Sequence, residues 1–330
     1  MARLFLARAN LHPAARGRFP ASAMRVSASK TTTDPTSSSM SAMWEERRDL
    51  LWQRIWQAHR TRAPLVMGIL NVTPDSFSDG GRFMGEAAAH QAARLAAEGA
   101  AIIDVGGEST RPGSQRLDEA EERRRIEPVL ETIAGGGAPG LEIPLSDVPV
   151  SIDTYKAGTA RAAVARGAVM VNDIGGLLGD PGMAEVIAES GALAVLMHNR
   201  HEADEQIDIF DDLRRVFDAA LARGREAGIV RERMVLDPGI GFGKTHGQNL
   251  DCIAHLDRLR AAYELPVLLG LSRKSFLGRE LGREVNERLG GTLGANLFGA
   301  ARGAAILRVH DVAAHVDALR IQQALAARCG

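Results

Sequence analysis

Asn71, Asp104, Asp153, Asn172 with Asp173, His198, Asp237, Ser272 with Arg273 and Lys274, and Arg308 with His310 share one context: each ends or directly follows a short apolar run. Carboxylates and amides pair with the donor and acceptor edge of a flat heterocycle, and a carboxylate accepts a fork of two N–H donors in bidentate fashion. Guanidinium, ammonium and imidazolium groups hold anions. One polar residue after an apolar run is ordinary loop chemistry. Eight such positions drawn from Asn, Asp, His, Ser, Arg and Lys imply a shared site for a ligand with several donors and acceptors plus negative charge.

Lysine usage adds to this. Of 40 lysine and arginine residues only four are lysine: Lys30, Lys156, Lys244 and Lys274. Against that bias, "LLGLSRKSFLG" (268–278) sets Lys274 between Arg273 and Ser275. A slim ammonium on a long stem reaches where a planar guanidinium does not fit; the plain alternative is a solvated loop residue.

The elements that must position these groups follow from periodicity. The apolar runs are "LVMGIL" (65–70), "AIIDV" (101–105), "VPVSI" (148–152), "VMV" (169–171), "ALAVLM" (192–197), "MVL" (234–236), "PVLLGL" (266–271) and "AAILRV" (304–309). Helical patterns separate them, among them Glu86–Glu98, Asp118–Ile133, Gly158–Arg166, Ile207–Ala227 and Asn249–Ala262, with Gly99, Gly167, Gly191, Gly228 and Gly303 at the C-cap positions. Eight β-then-α units predict an α/β protein, a (β/α)8 or TIM barrel, whose strand C-termini converge on one mouth. The rival, a doubly wound open sheet, needs a glycine-rich first turn; "NVTPDSFSDGG" after the first run is not one.

Side-chain alternation puts Ile306, Arg308 and His310 on one side of the eighth strand, and Gly270, Ser272 and Lys274 on one side of the seventh if that strand runs on. Arg308 reads either as an anion ligand or as a rim residue paired with a nearby Asp, and His310 with Asp311 either as ligand or as part of a helix N-cap. "LDPGIGFGKT" (236–245) fails the phosphate-loop pattern, because Pro238 stands where its first glycine is required. Its glycines suit a tight turn beneath a flat ligand, and Asp237 is either a bidentate acceptor or a plain helix cap.

Composition is that of a globular protein: 330 residues, 45% hydrophobic, 25% charged and a net charge of −1, with no pull toward nucleic acid or membrane. Two cysteines, Cys252 and Cys329, exclude a disulfide framework and fit a cytoplasmic setting. Residues 1–43 read as a disordered leader, a mis-called start or a targeting segment, with no acidic residue before Asp34. Residues 44–63 read as an amphipathic helix with no assignable role, and 64–330 as the barrel. "GGGAPGLEIPLSD" (135–147) is a long return on the barrel floor, expected to be flexible and remote from chemistry.

"GILNVTPDSFSDGG", "IIDVGGESTRPG", "SIDT", "VNDIGG", "LDPGIGFGKT", "GLSRKSFLG" and "RVHDV" together resemble the dihydropteroate synthase family, in its order and over about residues 64–325. The resemblance implies condensation of 6-hydroxymethyl-7,8-dihydropterin diphosphate with para-aminobenzoate to give 7,8-dihydropteroate and pyrophosphate. By motif it implies a pterin site of Asp153, Asn172, Met197, Asp237, Phe242 and Lys274, with Lys274, Arg308 and Asp153 as the catalytic groups. It implies diphosphate binding by Asn71, Thr110, Arg308 and His310, Mg2+ on Asn71, and aminobenzoate contacts from Phe77, Thr110, Arg111, Pro112 and Ser275. A homodimer is implied too. The runner-up is a pterin-binding methyltransferase, which has no departing diphosphate and hence no need of Lys274, Arg308, His310 and the "ESTRPG" loop.

Overall fold

The computed structural model of the chain describes residues 35–73, 84–109, 116–137 and 145–328. Eight parallel strands form its sheet: β1 Leu65–Asn71, β2 Ile102–Gly106, β3 Val150–Asp153, β4 Met170–Asp173, β5 Leu193–Met197, β6 Met234–Asp237, β7 Leu268–Leu269 and β8 Ile306–Val309. Their order is β6-β5-β4-β3-β2-β1-β8-β7, and a bridge between Leu236 and Val267 joins the two ends into a closed barrel. Around it run α2 Met84–Ala97, α3 Glu119–Ala134, α4 Ala157–Val164, α5 Met183–Ser190, α6 Ile209–Ala227, α7 His246–Ala254, α8 Leu256–Tyr263, α9 Ser275–Leu281, α10 Leu289–Ala301 and α11 Val312–Ala326. The expected (β/α)8 barrel is the observed fold.

The five punctuating glycines, Gly99, Gly167, Gly191, Gly228 and Gly303, all take positive φ, the left-handed step by which a helix hands over to the next strand. Two elements depart from expectation. The pattern over 249–262 breaks at His255, whose ring packs edge-on against Phe210 at 6.1 Å, giving α7 and α8. The seventh run pairs over two residues only; Pro266 has no N–H to donate and contributes its carbonyl to Leu236 instead, at 3.0 Å.

Strand alternation sorts the core into two layers. Val66, Ile103, Ile152, Val171, Leu196, Leu236, Leu269 and Leu307 face outward into the main apolar cluster under the helices. Met67, Ile102, Met170, Leu193, Val195, Val235, Leu268 and Ile306 form a second cluster inside the barrel. That inner cluster occupies only the lower half, because the next inward positions are Asp104, Ser151 and Arg308.

The N-terminal helix, α1 Pro35–Thr61, acquires a role. It begins before the expected Trp44 boundary, with proline at its first position, where the missing N–H costs nothing; the serine run behind it has weak helix propensity, which hid that start. Leu51 and Ile55 are fully buried and complete the inner cluster from below. Trp52 and Trp56 both donate their indole N–H to the Glu232 carbonyl, at 3.0 and 2.9 Å. Arg48 reaches the Ser190 carbonyl, and Arg233 pairs with Asp49 at 3.0 Å. These partners lie just before β5 and β6, so α1 closes the floor of the barrel. Of the disordered leader expected at 1–43, residues 35–43 are instead the start of α1, while 1–34, and residues 138–144 of the long return, lie outside the described residues; Leu145, at the end of that return, is buried in the core. Among the described residues no helix is long and apolar enough to cross a membrane.

Leu51→Ala removes the plug from the barrel floor and is expected to cost about 3 kcal/mol, the usual scale for a leucine truncated in a packed core. Urea denaturation reads this directly; a loss within 0.5 kcal/mol would mean that α1 lies on the barrel without sealing it.

Candidate active site

The upper half of the barrel interior is charged. Register places Asn71 beside Gly106, Gly106 beside Asp153, Asp153 beside Asn172, and Met197 beside Asp237. Each of these residues shares a face with the inner apolar cluster one or two steps below. The sheet thus lifts Asn71, Asp153, Asn172, Met197 and Asp237 to one rim, all within reach of a single ligand.

Arg308 stands at the centre. Its Nε donates to Asp104 Oδ2 at 2.5 Å, and one Nη donates to Asp153 Oδ2. Asn172 Nδ2 donates to the same Asp104 oxygen at 3.2 Å. Burial lowers the guanidinium's proton affinity, but Asp153 and Asp104 outweigh it and hold Arg308 above the usual arginine value. Of the two readings of Arg308, the structure shows the pairing with neighbouring aspartates, Asp104 and Asp153, on the inner face of the barrel. Asp104 Oδ1, Asp153 Oδ1 and Ser151 Oγ are buried with no partner among the described residues. Buried polar atoms in native proteins are almost always satisfied by protein, water or ligand.

Lys274 sits at the N-cap position of α9, beyond β7, and reaches back over the rim. Its Nζ donates to the Ile240 carbonyl and lies 4.8 Å above the Phe242 ring. Burial pulls the ammonium down to about 8, with Asp237 opposing. Burial raises the Asp237 carboxyl, with Lys274 and Arg308 among the charges pulling it back. Burial likewise pushes Asp153 up to about 7, against the pull of Arg308 and with a push from Asp104. Three carboxylates thus face two cations in a space that penalises uncompensated charge. Asp237 also caps its own turn, accepting from Gly239 N–H at 2.7 Å. Met197 is buried beside it and Phe242 half-buried.

His310 takes its place on the same face as Arg308, with Nδ1 3.0 Å from Ser272 Oγ. Asp311 occupies the N-cap position of α11 but makes no side-chain cap bond; its carboxylate takes Arg273 in a bidentate pair at 2.6 and 3.2 Å. That pair pins Arg273, whose φ of 61° is the kink that turns Lys274 inward. Ser275, first in α9, is exposed at the outer edge. Phe77, Thr110, Arg111 and Pro112 lie outside the described residues.

Several groups here had no partner or specific role assigned in the sequence expectation. Asp104 was one of the strand-end residues, yet only register reveals it as the inner anchor of Arg308. Glu108, after β2, accepts from Lys156 Nζ at 2.5 Å, Tyr155 OH at 3.0 Å and Leu117 N–H at 3.2 Å. Lys156 also pairs with the buried Glu122 at 2.9 Å. Lys244 sits in a buried network with His198. Lysine scarcity flagged both lysines, and nothing local named their partners. Among the described residues no cluster of three or more His, Cys, Asp or Glu side chains is arranged to hold a metal ion.

Residues 67–310 match the family of pterin binding enzymes. The dihydropteroate synthase of Clostridium beijerinckii is 43% identical over 252 residues, covering 75% of this chain and 88% of that protein. Among solved structures, a Clostridium difficile dihydropteroate synthase in the presence of pteroic acid superposes with a TM-score of 0.74 at 41% identity, over 79% of this chain and 96% of the other. The Xanthomonas albilineans dihydropteroate synthase with 4-aminobenzoic acid gives a TM-score of 0.74 at 45% identity, over 80% and 93%.

Arg308→Met strands the Asp104 and Asp153 carboxylates and is expected to lose about 3 kcal/mol of stability. Combined with Asp104→Asn, the loss should fall short of the sum by about 2 kcal/mol, since the two changes remove one interaction. Additive losses in urea melts would show that the guanidinium does not depend on Asp104.

Proposed function

The chain belongs to the pterin-binding enzyme family, and from that premise we propose that it is a dihydropteroate synthase, joining 6-hydroxymethyl-7,8-dihydropterin diphosphate to para-aminobenzoate and releasing pyrophosphate. One observation supports the reading: Asp153, Asp237 and Arg308, far apart in sequence, stand at the carboxyl ends of β3, β6 and β8 on the inner face of the barrel, and Lys274 reaches back over the same end to the Ile240 carbonyl.

The reaction breaks the C–O bond between the pterin methylene and diphosphate; the electron pair leaves with the anion, and the carbon's positive charge spreads into the ring. The arylamine lone pair then forms the C–N bond, and its N–H proton is released. The chain's part is to grip the ring, draw off the anion and keep water from the cation. Asp153 and Asp237 take the amino-amide edge of the pterin, Asn172 adds a donor and an acceptor, and Met197 and Phe242 cover the faces. Lys274 donates to the pterin carbonyl and adjacent ring nitrogen, which a two-pronged guanidinium would overfill. Arg308 and His310 take the diphosphate. Pterin N–H groups and Arg308 compete for Asp153, so filling the edge frees guanidinium donors for the anion. Thr110, Arg111, Pro112, Phe77 and Ser275 contribute the aminobenzoate side.

Mg2+ fits this site in one way. Asn71, a half-buried amide at the end of β1, would hold the ion through its neutral oxygen, with diphosphate and water as the other ligands, and the bound ion would supply charge neutralisation for the leaving group.

We read the active form as a homodimer, supported by the exposed Leu289 and Phe298 of α10 and Ile321 and Leu325 of α11, two helices that touch through Gln322 and the Leu297 carbonyl. Phe298→Glu should shift light scattering toward the 35.3 kDa monomer; an unaltered dimer would move the interface elsewhere. A cytoplasmic setting is supported by the free, buried Cys252.

Formation of labelled dihydropteroate from pterin diphosphate and labelled aminobenzoate with Mg2+ tests the activity; folded protein giving none would favour the methyltransferase. Pterin affinity should trace a bell against pH. It rises as Asp153 ionises through about 7 and falls as Lys274 loses its proton past about 8. Fluorescence titration from acid to alkaline pH checks this, and a flat profile would remove both groups from the pterin edge.

A further inference from the structure

Lys244 belongs to the glycine-rich stretch that failed as a phosphate loop, and nothing above gives it a task. It is nonetheless buried, and a buried ammonium needs compensation. Its Nζ lies 2.8 Å from His198 Nδ1, 2.9 Å from the Gly239 carbonyl, 3.3 Å from the Phe242 carbonyl and 3.4 Å from the His198 carbonyl. His198 is fully buried at the end of β5, and its Nε2 lies 3.0 Å from Asp212 Oδ2 on α6. Arg200 and Arg215 also donate to Asp212, at 2.7 and 3.0 Å.

The direction of each bond is fixed by what the groups can donate. An ammonium only donates, so Nδ1 of His198 must accept, the ring must be neutral, and its proton must sit on Nε2, donating to Asp212. Burial and then the Lys244 charge push His198 down to about 4, in keeping with a neutral ring. The Lys244 charge is thus answered by Asp212 across an imidazole, without direct contact between the two ions.

What the ammonium grips is a turn. Phe242 N–H bonds the Gly239 carbonyl at 3.1 Å, and Lys244 holds the carbonyls at both ends of that turn. Gly239 has φ +64°, and a Cβ there would stand 1.9 Å from the His198 carbonyl, so the turn presses directly on the end of β5. On its outer side the Ile240 carbonyl receives Lys274, and the Phe242 ring lies under the same ammonium. Two of the chain's few lysines therefore clasp one four-residue turn from opposite sides.

We propose that Lys244, His198 and Asp212 form a relayed ion pair that positions the Gly239–Phe242 turn, and through it Phe242 and Lys274, against the pterin. They are positioning residues, since none of them meets substrate. The inference rests on the pterin site proposed above. An apolar residue at 244 would leave the turn's carbonyls unpaired and free to swing, spoiling pterin contacts on one side of the pocket while leaving the aminobenzoate side alone.

The test uses the full chain with Lys244→Met, His198→Leu and His198→Asn, the last keeping an acceptor at the Nδ1 position. Titration with 6-hydroxymethylpterin should show binding weakened about tenfold in K244M and H198L, and by only about threefold in H198N, which keeps the acceptor for Lys244 but loses the donor to Asp212. KM for para-aminobenzoate at saturating pterin diphosphate should stay within about twofold. Unchanged pterin affinity in K244M and H198L, or equal losses on both substrates, overturns the proposal. Should those variants not fold, ring 15N shifts of His198 in the wild-type chain decide, with H198N identifying the signal: a bare Nδ1 and protonated Nε2 at pH 7 support the relay, and the opposite tautomer overturns it. A wild-type chain that binds no pterin at all would instead overturn the functional reading.

Discussion

The Asp104–Arg308–Asp153 contact is the constraint around which the upper barrel is organised. A barrel of eight strands has an interior just wide enough to be filled by side chains, and below this level it is filled with Met67, Ile102, Leu193 and their neighbours. Placing a guanidinium and two carboxylates on the next layer is costly, because each ion loses its water. Closely spaced opposite charges recover much of that cost. They do not recover all of it, and the carboxylate oxygens left open mark where the deficit falls. A ligand edge rich in N–H donors would be complementary to those oxygens. An apolar replacement of the same shape would give a more stable barrel with nothing to recognise.

Such a mouth needs a rigid base. The floor plug by α1 supplies part of it: Leu51 and Ile55 seal the inner cluster, while two indole N–H groups and two arginine contacts tie the helix to the strand ends above them. The division of labour is the one expected for this fold, where the amino end of the barrel carries stability and the carboxyl end carries chemistry. Stability gained at the floor offsets the desolvation cost at the rim, some four residues away along each strand.

Much of this was legible in the chain before folding. The eight strand-and-helix units, the C-cap glycines and the inward parity of Ile306, Arg308 and His310 depend on local periodicity, which sequence displays. The rim residues could be read because strand ends converge in a barrel whatever their separation along the chain. Partnerships were not legible. Arg308 meets Asp104 across 204 positions and Lys244 meets His198 across 46, distances over which spacing carries no signal. The role of α1 was hidden for the same reason, since its stripe announces an apolar partner without naming it. Asp311 shows the converse: one of the two readings left open placed it at a helix start, where it stands, but Arg273 rather than the backbone takes its carboxylate.

Lysine scarcity was the most informative compositional signal, and its reach exceeded the use first made of it. All three lysines among the described residues, Lys156, Lys244 and Lys274, lie at the carboxyl end of the barrel, each buried or half-buried in a polar network. Arginine cannot replace two of them for a common physical reason. The Lys156 and Lys244 ammonium groups sit among acceptors that converge from several directions on one point, two carboxylates for Lys156 and carbonyls with an imidazole nitrogen for Lys244, whereas a planar fork serves acceptors lying in its own plane. Where a chain otherwise favours arginine, a retained lysine thus marks convergent acceptors, and convergent acceptors arise where loops fold tightly over a site. The three lysines follow β3, β6 and β7, and Lys244 and Lys274 both bond backbone carbonyls of one turn, so rim geometry here is set in part by how backbone carbonyls are gathered.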